Sequence, residues 1–101
     1  MIIRLWHGRV EHDKAESYRQ FLVERAIPDY QSVQGNLGVK ILQRREDDST
    51  HFITTTSWES LEVIKEFAGA DVEKAKYYPE DDGFLLEFEP TVVHYEVVGQ
   101  S

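Results

Sequence analysis

Four histidines are the side chains in this sequence best suited to proton transfer or metal binding: His7, His12, His51 and His94. No two of them have the His-x-His or His-x-x-x-His spacing typical of metal sites, and no histidine–carboxylate motif accompanies them. We therefore expect no metal centre, and a site assembled from distant strands is the less favoured alternative. We expect His7, near the middle of the first predicted strand, to be the catalytic base if its side chain faces a pocket.

Other common chemistries lack the residues they need. The chain has no cysteine, which removes disulfides, thiolate nucleophiles and cysteine metal ligands. It has no glycine-rich phosphate-binding loop, and its serines lack the nucleophile-elbow context. The acidic runs 46–48 and 80–82 lack the ligand pattern of a calcium loop, so we expect both to be solvated turns.

Three aromatic residues are candidates for binding a substrate. Trp58 ends a predicted strand just before a helix begins, where a pocket between sheet and helices often opens. Tyr77 and Tyr78 follow the second predicted helix, in an irregular segment that could cover such a pocket. The competing interpretation is that these residues belong to the core, which is the usual place for large aromatic side chains.

Composition sets limits on the class of protein and on its partners. The chain has 101 residues, 41% of them hydrophobic and 12% aromatic, so we expect one domain over residues 1–101 with a packed core. Its net charge of −8 makes nucleic acid and anionic membranes poor partners. The N-terminal residues have neither the basic nor the apolar region of a signal peptide, so we expect a cytoplasmic protein.

The first half of the chain predicts a strand, a helix and a hairpin. β-forming residues indicate a strand over Ile2–Val10, with large side chains on both faces. Asp13 and Glu16 resemble a capping box, and the helix they would start should end near Ile27–Pro28. Alternating residues then predict a strand to Arg45, a polar turn over 46–49 and a returning strand from His51 to Trp58.

The second half predicts another helix and a last strand. Ser60 is a suitable N-cap and Gly69 a suitable end for the helix between them. A short helix is predicted over 72–77, followed by an acidic turn, and residues 92–98 are strongly β-forming. The order β-α-β-β-α-β predicts an α+β, ferredoxin-like fold, a four-stranded antiparallel sheet with helices on one face.

The uncovered face of this sheet predicts a homodimer. Two helices cover only one face, yet the predicted strands carry bulky side chains on both. Four strands of this length present on the order of 500 Å² on the open face, which is at or above the apolar patch that a soluble monomer usually leaves exposed. A second copy packed sheet to sheet would cover this surface.

The segment from His51 to Glu62, with the sequence HFITTTSWESLE, and the helix that follows it to Phe67 resemble the antibiotic biosynthesis monooxygenase family of dimeric α+β-barrel proteins. The resemblance extends in element order from Ile2 to Val98. It implies a pocket between helices and sheet, in which an aromatic substrate is deprotonated and passes electrons to O₂ without a bound cofactor. The haem-degrading branch shares a tryptophan at the position of Trp58, but its histidine ligand has no counterpart in segment 71–77, so we expect no haem.

The resemblance and the candidate residues lead to one working hypothesis and two alternatives. The hypothesis is a cofactor-free monooxygenase for a small hydrophobic or aromatic molecule, with His7 as base, Trp58 as stacking wall and Tyr77 with Tyr78 as polar cover. The first alternative is a non-catalytic or stress-associated module that binds a small ligand in the same pocket. The second is an isomerase acting on small autoinducer-like ligands.

Overall fold

The fold is a four-stranded antiparallel sheet with helices on one face, seen in a computed structural model that describes all residues, 1–101. The strands are β1 (Ile2–Val10), β2 (Asn36–Arg45), β3 (Thr50–Trp58) and β4 (Val93–Glu96), in the spatial order β2-β3-β1-β4. This order confirms the predicted ferredoxin-like arrangement. None of the helices has the length and apolar character needed to cross a membrane.

Alternation along β1 and β3 separates a buried face from an open one. On β1, Trp6 and Val10 are buried beneath the helices, whereas Leu5 and His7 on the other face are only partly buried. On β3, Phe52 is buried on the helix side in the same way. The helices therefore cover only one face of β1, and its other face is open in the single chain.

The first helical region consists of four consecutive pieces: a 3₁₀ turn (His12–Lys14), α1 (Ala15–Phe21), a π-helical turn (Leu22–Ala26) and α2 (Ile27–Gln31). The predicted end at Pro28 is wrong, because the helix continues through it. An α-helical proline clashes with the carbonyl four residues earlier, and here that residue, Glu24, lies in the wider π turn. The predicted capping box is also absent, because Asp13 is already helical rather than extended.

The hairpin and the following helix form as predicted. The backbone N–H of Glu46 donates to the carbonyl of Ser49 at 2.9 Å, which closes the turn between β2 and β3. The helix α3 (Leu61–Ala68) begins at Ser60, whose hydroxyl accepts from the Val63 N–H at 3.3 Å. It ends at Gly69, whose φ of +93° is a conformation that favours glycine.

The segment between α3 and β4 departs most from the sequence-based prediction. The helix predicted over 72–77 is absent, because its backbone pairs with residues 90–92 instead: Ala75 N–H donates to Pro90 O at 3.0 Å and Val92 N–H to Glu73 O at 2.8 Å. A 3₁₀ turn (Pro79–Gly83) follows. β4 is shorter than predicted because its pairing with β1 extends only from Ile2 to Leu5.

Asp81 corrects the prediction that the second acidic run is a solvated turn. Its side chain is buried, and its two carboxylate oxygens accept from the Tyr18 hydroxyl at 2.8 Å and the Tyr78 N–H at 2.7 Å. Burial raises the pKa of Asp81 above the ordinary range of an aspartate. The carboxylate therefore fastens the 3₁₀ turn to α1, while its neighbours Glu80 and Asp82 remain exposed.

Candidate functional site

His7 lies on the open face of the sheet, near the centre of β1. Its Cα pairs with that of Ile53 on β3, and both side chains are partly buried on the face away from the helices. Successive side chains of a strand point to opposite faces, so His7, which follows the buried Trp6, lies on the open face.

A chain of hydrogen-bonded side chains runs through His7. Its Nδ1 contacts the carboxylate of Glu89, and its Nε2 lies 2.8 Å from Nδ1 of His51. The two imidazole rings are tilted by 35° with centroids 5.1 Å apart. We call this Glu89–His7–His51 arrangement the histidine relay. A histidine that contacts a carboxylate through one ring nitrogen and a second imidazole through the other is suited to general acid–base chemistry.

The histidine relay borders an open cavity of about 330 Å³. This volume lies within the range of small-molecule sites, about 300–1,000 Å³. Its lining combines the two histidines with polar and apolar side chains, among them Leu42, Arg44 and Ile53. The cavity can therefore accommodate a small molecule that is partly apolar, beside a titratable group.

Ion pairs surround the histidine relay. Arg9 pairs with Glu87 at 2.7 Å and with Asp48 at 3.1 Å, and its hydrogen bond lowers the pKa of Glu87. Arg44 pairs with Glu46 at 3.2 Å at the cavity edge. Arg44 is exposed at the end of β2. The arginines near the relay thus have carboxylate partners, and the pairs are exposed enough to contribute little stability.

Trp58 lies on the other face of the sheet and does not meet His7. It is fully buried, with its ring packed against Tyr30 and Phe67 at centroid distances of 6.4 and 5.8 Å. Its indole N–H donates to the Thr56 hydroxyl at 2.7 Å. In the single chain Trp58 is therefore surrounded by core side chains and not by a cavity.

The two candidate tyrosines have different surroundings. The Tyr77 hydroxyl donates to the backbone carbonyl of Glu89, so Tyr77 holds the residue that contacts His7. The Tyr78 hydroxyl donates to Asp29 on α2, and the Lys76 ammonium pairs with the same carboxylate at 3.3 Å. Burial, with the Asp29 contact, raises the pKa of Tyr78. The structure thus joins Tyr77 to the histidine relay and Tyr78 to the helices.

The space between helices and sheet is too small for a haem. A cavity there, lined in part by Trp6, Tyr30 and Tyr78, has a volume of about 10 Å³, close to that needed for one water molecule. The indole N–H of Trp6 is buried without a hydrogen-bond partner in the protein. Segment 71–77 also contains no histidine that could bind an iron atom. The residues present therefore do not fit a porphyrin.

His51 and Glu89 were missed as partners of His7. His51 lies near the start of β3, which pairs with β1, but its approach to His7 depends on the β1–β3 register, which the sequence does not reveal. Glu89 lies in an irregular segment with no periodicity, so no local signal could have found it.

Comparisons with known proteins give structural matches only. No family model and no curated protein matches the sequence. A candidate antibiotic biosynthesis monooxygenase from Nitrosomonas europaea superposes with a TM-score of 0.69 at 18% identity, covering 98% of this chain and 100% of that chain. One from Bacillus cereus gives a TM-score of 0.66 at 13% identity, covering 99% and 95%.

A heme-degrading protein from Mycobacterium tuberculosis, solved free of heme, is also similar. Its TM-score is 0.60 at 17% identity, covering 100% of this chain and 99% of that chain. At such identities the similarity establishes the fold, and activity must be argued from the site. The chain therefore has the ferredoxin-like α+β fold of the antibiotic biosynthesis monooxygenase-like proteins.

Proposed function

We propose that this protein is a homodimeric, cofactor-free monooxygenase that acts on a small hydrophobic or aromatic molecule with an acidic proton. The observation that carries the proposal is the histidine relay beside a cavity of about 330 Å³. The shared fold with proteins named as candidate antibiotic biosynthesis monooxygenases supports the same reaction class.

The proposed reaction needs only a base and dioxygen. A histidine takes the acidic proton of a methylene group activated by neighbouring rings or carbonyls, and the electron pair stays on the substrate. The carbanion reduces O₂ and forms a peroxide, which loses water to leave a ketone. One oxygen atom thus enters the product and the other leaves as water, so CH₂ and O₂ become C=O and H₂O.

A second copy of the chain would close the cavity. Four large apolar side chains on the open face, Leu37, Leu42, Val93 and Tyr95, are 46–56% exposed. Leu42 also lines the cavity. A second sheet packed on this face would bury these side chains and exclude water from the histidine relay, which strengthens the electrostatic interactions within it.

The four candidate residues differ in their relation to the proposed reaction. His7 is part of the histidine relay that supplies the base, and Tyr77 supports the relay indirectly by holding Glu89. Trp58 and Tyr78 contribute from the helix side, as core and as a contact to α2, and do not contact a substrate in the open cavity.

An oxygen electrode tests the proposal. We expect the protein to consume O₂ with at least one member of a panel of hydroxylated polycyclic aromatics and anthrones. His7→Gln breaks the histidine relay and should lower the rate by about 10-fold or more, since general base catalysis as a whole contributes about 10²–10⁴. His12→Gln is the matched control, because His12 bonds Thr50 at the strand end and not the histidine relay. No uptake above the buffer rate with any compound would contradict the proposal.

A further inference from the structure

We propose that His51, and not His7, is the residue that removes the proton, while His7 and Glu89 position it. This inference rests on the proposed function and names the atom that carries out its first step. It follows from which atom must donate and which must accept in each hydrogen bond of the histidine relay.

Glu89 determines the donor and the acceptor in each hydrogen bond of the histidine relay. An ionised carboxylate can only accept hydrogen bonds, so His7 Nδ1, which contacts it, must carry the hydrogen. A neutral imidazole has one N–H, and His7 Nε2 is then the acceptor. Its partner at 2.8 Å is His51 Nδ1, which must therefore donate. The remaining nitrogen, His51 Nε2, holds the free lone pair. Hydrogen positions are assigned here from this network of partners.

The surroundings of His51 leave that lone pair available. His51 lines the cavity of about 330 Å³ together with His7, Arg44 and Ile53. Its Nδ1 bonds to His7, and its Nε2 has no hydrogen-bond partner in the protein. His7, by contrast, has both ring nitrogens occupied, one by Glu89 and one by His51. Of the two histidines, only His51 has a nitrogen free to meet a substrate.

Glu89 can offset the positive charge that forms on His51 when it takes up the proton. When His51 Nε2 takes a proton, a positive charge appears beside two arginines, Arg9 and Arg44, whose Cα atoms pair with that of His51. The carboxylates of Glu87, Asp48 and Glu46 already form ion pairs with these arginines. Glu89 has no arginine or lysine partner, so its charge is free to offset the new imidazolium through His7.

The step is balanced without any added reactant. The bond between the substrate and its acidic hydrogen breaks, and a new N–H bond forms at His51 Nε2. The electron pair stays on the substrate as a carbanion or phenolate, and His51 becomes an imidazolium. His7 keeps its tautomer throughout and is a positioning residue, as is Glu89.

The first test is spectroscopic and needs no substrate. Long-range ¹H–¹⁵N spectra of the ¹⁵N-histidine-labelled protein at pH 8 report which ring nitrogen carries hydrogen. We expect His51 in the Nδ1–H form, which is the rarer tautomer of a free imidazole. Glu89→Leu removes the acceptor that sets the direction, and should shift His51 toward the Nε2–H form. His51 found as Nε2–H in the wild type would overturn the inference, whether or not the protein consumes oxygen.

The second test compares rates with a substrate from the oxygen-uptake panel. We expect His51→Gln to lower kcat by at least 100-fold, and Glu89→Gln to lower it less while shifting the pH profile of kcat/KM. The matched control is again His12→Gln, which should keep the wild-type rate. A His51→Gln variant with the full rate, alongside an inactive His7→Gln variant, would make His7 the base. If no compound supports oxygen uptake, the proposed function fails while the spectra still decide the tautomer.

Discussion

His7 and Trp58 lie on opposite faces of one sheet, although both were expected to border the same pocket. On β1 the residue that pairs with Trp58 is Ile2, five positions before His7, and an odd separation places two strand residues on opposite faces. Trp58 is fully buried under the helices, whereas His7 borders the open cavity. Substitutions at the two positions should therefore have separable effects, one on stability and the other on chemistry.

Trp58→Ala should lower the free energy of unfolding by about 3–5 kcal/mol, as large aromatic truncations in cores do. The residue is fully buried and packs against Tyr30 and Phe67. Leu61→Ala, at an exposed position on α3, is the control and should cost less than about 1 kcal/mol. Urea unfolding followed by tryptophan fluorescence and circular dichroism measures both. A loss below 1 kcal/mol for Trp58→Ala would show that Trp58 is not part of the core.

Light scattering at micromolar concentration should give about twice the chain mass of 11.8 kDa. The reason is the exposed apolar surface on the open face, which a second sheet would cover. Leu42→Glu should shift the protein toward the monomer, because it places a charge in that surface. Leu61→Glu adds the same charge on the helix side and should leave the dimer intact. If the wild-type protein is a monomer at this concentration, no second copy covers the cavity and the dimer prediction is wrong.

Stability should fall below about pH 6.5, the ordinary pKa of a histidine, in part because of His94. Burial, and next the nearby Arg4 guanidinium, lower the pKa of His94, and Arg4 Nη1 lies 3.1 Å from His94 Nε2. Glu73 acts in the opposite direction with a smaller effect. As the pH falls, the unfolded chain takes up a proton at His94 before the folded chain does, so unfolding is favoured.

The His94 contribution can be isolated with a variant. His94→Gln keeps a neutral hydrogen-bond acceptor near Arg4 but does not titrate. Urea midpoints measured from pH 8 to pH 5 should fall less steeply for His94→Gln than for the wild type. The other three histidines are common to both proteins, so the difference between the curves belongs to His94. Parallel curves would show that His94 does not contribute to the pH dependence.

Haem should not form a stoichiometric complex with this protein. Segment 71–77 has no histidine, and the cavity between helices and sheet is about 10 Å³. Titration of haem should give a Soret band that rises without saturation at one equivalent, as for nonspecific adsorption. A sharp 1:1 endpoint would contradict this, and repeating the titration with His51→Gln and His94→Gln would identify the ligand.

Features that depend on near neighbours along the chain were predictable from the sequence. Alternation located β1 and β3, and the turn over 46–49, the cap at Ser60 and the end at Gly69 have local signals that nearby residues satisfy. The order of these elements was then enough for the ferredoxin-like fold, because few topologies join them with short, right-handed connections. Two helical regions can cover only one face of a four-stranded sheet, so the exposure of the other face was also predictable.

Features that depend on strand register and on long-range partners became visible only in the folded chain. Tertiary structure continued the first helix through Pro28 by means of a π turn, and it replaced the helix predicted over 72–77 with pairing to residues 90–92. It buried Asp81, and it placed Glu89 against His7 from 82 residues away. Hydrophobic periodicity fixes which face a strand residue occupies relative to its neighbours, but not which residue of another strand lies opposite. The histidine relay is such a meeting of distant residues, so only the folded chain could reveal it.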